Sequence, residues 1–210
     1  MKFVFISHGI PSLATKRICE MVGKSSKDIK VLYITTPANT YPPNPSWLVE
    51  AKEDIKKQGF QMTEFDIEKK GGEIVQSFVA AHDVVWVSGG NAFYFLYWAE
   101  KVGLKEMLVK FLSRGGVYAG ESAGIVCQIK DLEPIKWADH PEKAPQLIRE
   151  GMQLTDIVAI PHWGDQKYGE VMKKIKVYYE KKGIKPYLLR NGEALIIDGG
   201  KIEEIRGGRF

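Results

Sequence analysis

Three short stretches hold the residues best suited to chemistry: Ser88-Gly89-Gly90-Asn91, Gly120-Glu121-Ser122-Ala123-Gly124 and Ile160-Pro161-His162-Trp163. The second is a Gly-x-Ser-x-Gly turn that follows the strand-like run Val117-Tyr118-Ala119 and precedes an apolar helical stretch. Such a turn forces its central residue into a sharp backbone conformation, and only small neighbours avoid collision. The hydroxyl of Ser122 then projects above the sheet, and the N–H of Ala123 can donate to an oxyanion. The competing reading is a glycine-rich turn whose serine is only a small filler or a helix cap. Placement between strand and helix makes Ser122 the candidate nucleophile.

A serine attacks only after giving up its proton, and histidine is the side chain that titrates near neutral pH without large perturbation. Of four histidines, His162 follows the strand-like run Asp156–Pro161, and His8 ends the first such run. His82 falls at a helix end, and His140 sits in the polar stretch Ala138–Lys143. A strand-end histidine is commonly a structural hydrogen-bonder. His162 is the candidate base because it shares an edge with the candidate nucleophile. Gly89 and Gly90 would let a substrate approach the backbone, with N–H groups facing an oxyanion. A plain turn or a phosphate loop is the alternative, but neither GxGxxG nor GxxxxGK[ST] is present.

The elements that must position these residues alternate along the chain. Strand patterns fall at 2–7, 29–37, 60–67, 83–91, 117–120 and 156–161; helix patterns fall at 13–24, 47–58, 72–81, 92–103, 104–116 and 168–183. The stretch 186–208 reads as consecutive strands joined by Asn-Gly and Gly-Gly turns. This alternation predicts an α/β fold, a mostly parallel sheet covered by helices on both faces, in one domain over 1–210. Ligands of such sheets bind at the carboxyl ends of the strands, where all three stretches fall.

Composition narrows the function classes. The chain has 210 residues, 44% hydrophobic and 27% charged, which supports a folded core and argues against disorder. A net charge of +4, spread over several helices, gives no nucleic-acid signature. Cys19 and Cys127 form no zinc-type cluster and fit a reducing compartment. No apolar run is long enough to span a membrane, and the run after Lys2 is too short for a leader core. The expectation is a cytoplasmic protein without a membrane or nucleic-acid partner.

Together, residues 88–96, 118–124 and 160–164 resemble the peptidase E family of serine peptidases, which includes aspartyl dipeptidases, and their order and spacing match over nearly the whole chain. The resemblance implies a class I glutamine amidotransferase-like (flavodoxin-like) three-layer α/β sandwich with C-terminal antiparallel strands, with serine in place of that fold's usual cysteine. It implies Ser122 as nucleophile, His162 as base, Gly89, Gly90 and the Ala123 N–H around the oxyanion, and Asn91 beside the substrate. It also implies a short peptide substrate and neither metal nor organic cofactor.

Two departures stand out. The family's Asn-Asp-x-Pro stretch corresponds to Lys130-Asp131-Leu132-Glu133-Pro134, with the acid offset, so Asp131 is the preferred triad acid and Glu133 the neighbouring choice. Asp139 and Asp165 are further candidates. A Glu near the C-terminal strands has also been suggested for the family; Asn191 stands at that position, with Glu193 nearby. Aspartyl recognition also calls for an arginine, and the helix after His162 offers only Lys173 and Lys174. Two other readings remain: an esterase-like hydrolase, in which the histidine usually lies nearer the chain end, and a non-catalytic small-molecule-binding module.

Overall fold

The computed structural model describes residues 1–207. Its centre is a seven-stranded sheet in the order β3-β2-β4-β5-β1-β8-β9. Five strands run parallel: β1 (Lys2–Ile6), β2 (Lys30–Ile34), β3 (Gln61–Phe65), β4 (Val84–Val87) and β5 (Val117–Glu121). Two antiparallel strands, β8 (Ala194–Asp198) and β9 (Lys201–Ile205), extend it beside β1. The Gly199-Gly200 turn between them has positive φ at both glycines, as a tight hairpin needs.

Period-two alternation sends side chains into two cores. Phe3, Phe5, Leu32, Ile34, Val85 and Val87 face one side, against α3 (Gly72–Ala81), α4 (Ala92–Val102), α5 (Leu104–Ser113) and α7 (Gly169–Lys181). Val4, Ile6, Val31, Tyr33, Val84 and Trp86 face the other, against α1 (Ser12–Val22) and α2 (Ser46–Lys57). Burial on both faces is why the parallel strands read as nearly unbroken apolar runs. The layers are helix, sheet and helix, as the alternation predicts.

Two expected elements differ. The run 156–161 yields only β6 (Ala159–Ile160), which pairs in parallel with β7 (Tyr187–Leu188) in a separate two-stranded sheet. The Asn191-Gly192 signal therefore marks no hairpin between neighbouring strands. It is a loop from β7 to β8, pinned where the Gly192 N–H donates to the His8 carbonyl at 2.6 Å. The helical stretch after the serine turn is a single turn, α6 (Ala123–Val126). Gly208, the last residue of the expected strand run, lies outside the described residues. No helix among the described residues is long and apolar enough to cross a membrane.

Candidate active site

The loops after β1, β4, β5 and β6 meet at one sheet edge. Ser122 sits between β5 and α6 with φ 49° and ψ −102°, a strained conformation for a residue with a side chain. The flanking glycines are sterically required. A Cβ on Gly120 would lie 2.4 Å from the Gly124 carbonyl oxygen, and one on Gly124 would lie 2.3 Å from that of Val87. Gly90, at φ 131°, passes so close to Pro37 that a Cβ would stand 2.3 Å from its carbonyl oxygen. Gly89 faces the Cβ of Ser122 on one side and the ring of Trp47 on the other.

His162 takes the left-handed backbone conformation, φ 55°, at the end of the short β6 segment. Its Nε2 lies 2.8 Å from the Ser122 Oγ, and its Nδ1 lies 3.0 Å from Asn191 Oδ1. Asn191 in turn donates from Nδ2 to Asp165 Oδ2 at 3.1 Å. A carboxylate oxygen only accepts, so Asp165 fixes which end of the amide faces the histidine. The amide oxygen then accepts the Nδ1 proton, leaving Nε2 as the acceptor for the serine hydroxyl. Ser7, fully buried, completes the frame. Its hydroxyl donates to Asn191 Oδ1 at 3.2 Å and accepts the His162 N–H at 2.7 Å.

Burial lowers the His162 pKa from its usual 6.5, against a smaller upward push from the Asn191 bond. The imidazole is thereby favoured in its neutral, proton-accepting form. Asp165 feels burial too, yet the N–H groups of Lys167 and Tyr168 and the Asn191 amide hold its carboxyl below the usual range. Behind Ser122, the His8 Nδ1 lies 3.5 Å from the buried Glu121 carboxylate. That partner raises the His8 pKa, whereas burial raises that of Glu121. Cys127, wholly buried beside the Tyr118 hydroxyl, has its thiol pushed up to about 12 by burial, which keeps it protonated.

None of the acids expected to orient His162 bonds it directly. Asp131 accepts from Tyr178 at 3.0 Å, from Lys182 at 2.5 Å and from the Glu133 N–H at 3.0 Å. Burial raises its pKa but those bonds win, so it is a ligand of α7 and not of His162. Glu133 pairs with Lys136 on an exposed turn. Glu193 holds the Arg190 N–H at 2.9 Å and Arg206 at 3.3 Å. Asp139 lines the cavity beside Ser122 without bonding the histidine. Asp165 acts one residue removed, through Asn191.

Asn91 departs from its expected place beside a substrate. It is fully buried; its Oδ1 caps α4 by accepting the Tyr94 N–H at 2.8 Å, and its Nδ2 donates to the His140 carbonyl at 2.9 Å. Trp163 lines a different surface pocket, with Tyr187 and Arg190, while Trp47 is the tryptophan near the serine. Lys173 pairs with Glu170, and it and Lys174 lie on the exposed face of α7.

The cavity at Ser122 measures about 60 Å³. Gly90, Ala123, His162, Tyr41 and Tyr168 line it together with Ser122. The Tyr168 ring packs against the His162 ring, centroids 5.1 Å apart. The N–H groups of Gly90 and Ala123 donate to no protein acceptor among the described residues. Among the same residues, no group of three or more His, Cys, Asp or Glu side chains could hold a metal ion.

The model of peptidase family S51 matches residues 6–205. The chain belongs to peptidase family S51. The family match spans the Ser122 turn, His162 and Asn191 alike. Among related proteins, an uncharacterized peptidase of Listeria innocua is 28% identical over 151 residues, covering 71% of this chain and 72% of its own length. Another from Listeria monocytogenes is 29% identical over 160 residues, 75% and 77% of the two chains. Peptidase E of Streptomyces coelicolor is 30% identical over 125 residues, 57% of this chain and 50% of that one. In structure, a Listeria monocytogenes protein proposed to be a peptidase E superposes with a TM-score of 0.85 over 99% of this chain and 98% of its own, at 22% identity. That likeness shows the fold: an S51 α/β sandwich with its C-terminal antiparallel strands.

Proposed function

We propose that this S51 peptidase is a serine-type enzyme acting on short peptides. The observation that carries the reading is the chain of contacts Ser122 Oγ, His162 Nε2, His162 Nδ1, Asn191 Oδ1, with links of 2.8 and 3.0 Å. A nucleophile bonded to a base that is itself oriented by a third group is the logic of covalent acyl transfer.

In acylation, Oγ forms a bond to the substrate carbonyl carbon while its proton passes to Nε2. The C–N bond then breaks, and the Nε2 proton goes to the leaving amine. Water reverses these transfers: its oxygen attacks the acyl carbon, Nε2 takes its proton and returns it to Oγ. The N–H groups of Gly90 and Ala123 are the candidate donors to the oxyanion formed in each half. Asn191 replaces a triad carboxylate with a neutral acceptor, as in cysteine peptidases with a Cys-His-Asn arrangement.

The test is reaction of the protein with a small fluorophosphonate, read by intact mass beside Ser122→Ala. A single adduct that disappears in the variant supports the reading. An unlabelled folded protein, or a label that survives in Ser122→Ala, overturns it.

A further inference from the structure

Much of the lining of the cavity at Ser122 is of one chemical kind. Val126 on α6, Ile129, Ile135, Ile160 on β6, and Met172 and Ile175 on α7 make it aliphatic. No lysine or arginine is among its lining residues. At about 30 Å³ of liquid volume per water molecule, it has the size of about two waters. That favours a compact aliphatic side chain over an indole. An aspartyl side chain placed there would be a carboxylate without a cation, in apolar surroundings that disfavour charge.

One acidic group breaks the apolar lining. Asp139 accepts the Ala92 N–H on Oδ2 at 2.7 Å and the His140 N–H on Oδ1 at 3.3 Å. Each oxygen keeps a free lone pair, and no cationic side chain among the described residues forms an ion pair with it. Lys143, the nearest lysine in charge effect, is instead held by the Thr40 carbonyl and the face of Tyr41. Burial raises the carboxyl pKa to about 6, the mark of an anion short of a positive partner. An α-ammonium group supplies that charge together with hydrogen-bond donors.

A nucleophile, an aliphatic pocket and an unpaired carboxylate in one cavity match the carbonyl, side chain and α-amine of one amino-acid residue. From this we infer that the enzyme removes an unblocked aliphatic residue, of the leucine, isoleucine, valine or methionine type, from the N-terminus of short peptides. Asp139 is the recognition group for the free amine. The inference rests on the serine-peptidase reading and replaces aspartyl specificity with aliphatic specificity.

The experiment measures kcat/KM for dipeptides with N-terminal Leu, Val, Ala, Phe and Asp, each free and N-acetylated, on the wild type, Asp139→Ala and Ala138→Leu. Fluorophosphonate labelling of every variant serves as the control for an intact nucleophile. Leu is expected to exceed Ala by at least tenfold, since a single methylene in an apolar pocket already gives about ten- to 200-fold. Asp is expected to be the poorest substrate. N-acetylation should cost the wild type about a hundredfold and Asp139→Ala only a few-fold, so the readout is discrimination between amines and not mere loss of rate. Ala138→Leu, which adds bulk to the lining, should shift preference from Leu towards Ala. Preference for Asp over Leu, or equal use of free and acetylated peptides by a wild type that labels normally, overturns the inference and leaves the serine reading standing. Absence of labelling overturns the serine reading itself.

Discussion

Asn191→Ala isolates what the amide does for His162. The substitution removes the acceptor of the Nδ1 proton and the partner of the Ser7 hydroxyl, while the Gly192 N–H bond to His8 still holds the loop. In the ground state a neutral hydrogen bond contributes about 0.5–1.5 kcal/mol. As the imidazole takes the serine proton it becomes a cation, and a bond from a charged donor contributes about 1.5–3 kcal/mol. Asn191 is exposed, so water replaces part of what is lost. The expected loss is therefore about 1.5–2 kcal/mol, or roughly ten- to thirtyfold in rate, at 1.36 kcal/mol per decade. The assay is the second-order rate constant for fluorophosphonate labelling, which is independent of substrate choice. Asn191→Asp should recover part of the rate, since it restores an acceptor even while crowding Asp165. A rate within twofold of wild type for Asn191→Ala would refute the orienting role. A loss as complete as that of Ser122→Ala, in a protein of normal Tm, would refute the energetic reasoning.

The acid limb of the labelling rate should have its midpoint below pH 6.5. Burial depresses the His162 pKa, and the neutral base is lost only as pH falls through that depressed value. A midpoint at or above 6.5 contradicts this. Gly124→Ala should lower Tm by about 2–12 °C, from roughly 1–3 kcal/mol of overpacking against the Val87 carbonyl, and slow labelling as the turn shifts; an unchanged Tm contradicts the steric requirement. Asp131→Ala should leave the labelling rate within about twofold of wild type and lower Tm slightly through lost contacts to Tyr178 and Lys182, whereas a rate loss like that of Asn191→Ala would return Asp131 to the catalytic apparatus.

What the sequence disclosed follows what local rules govern. The parallel strands are buried on both faces, so unbroken runs such as Val84–Val87 announced themselves, and their carboxyl ends located the glycine and serine turns. The Ser122 turn was legible because its sterics are local: Gly120 and Gly124 each meet backbone within a few residues or one strand away. The partner of Nδ1 was not. Asn191 reaches His162 across 29 positions, from a loop whose Asn-Gly pair carries an ordinary hairpin signal. Its partner β7 had left the main sheet to pair with β6, and no periodicity in so short a strand reports that. Asp131 attracted attention through motif spacing, yet its carboxylate is held by α7. The position-by-position resemblance did point to Asn191; only the expectation of an acid there turned attention away.

Burial in the same cavity acts oppositely on the two ionisable groups that matter most. It lowers the pKa of His162, whose charged form is the cation, and raises that of Asp139, whose charged form is the anion. Above about pH 6.5 the base is mainly neutral and the Asp139 carboxylate mainly ionised, its ionisation helped by His140 and Lys143. An α-amine stays largely protonated up to a pKa of about 7.7–8.0. A free N-terminal residue therefore meets a charged Asp139 and an unprotonated His162 together across roughly pH 6.5–8. A peptide without the amine gains nothing from Asp139 and is limited only by His162. A neutral amide behind the histidine suits this arrangement, because a carboxylate in contact with Nδ1 would raise the His162 pKa and narrow the interval from below. The position of Asp165 beyond Asn191 lets one acid orient the amide while its charge reaches the imidazole only weakly, less than burial does.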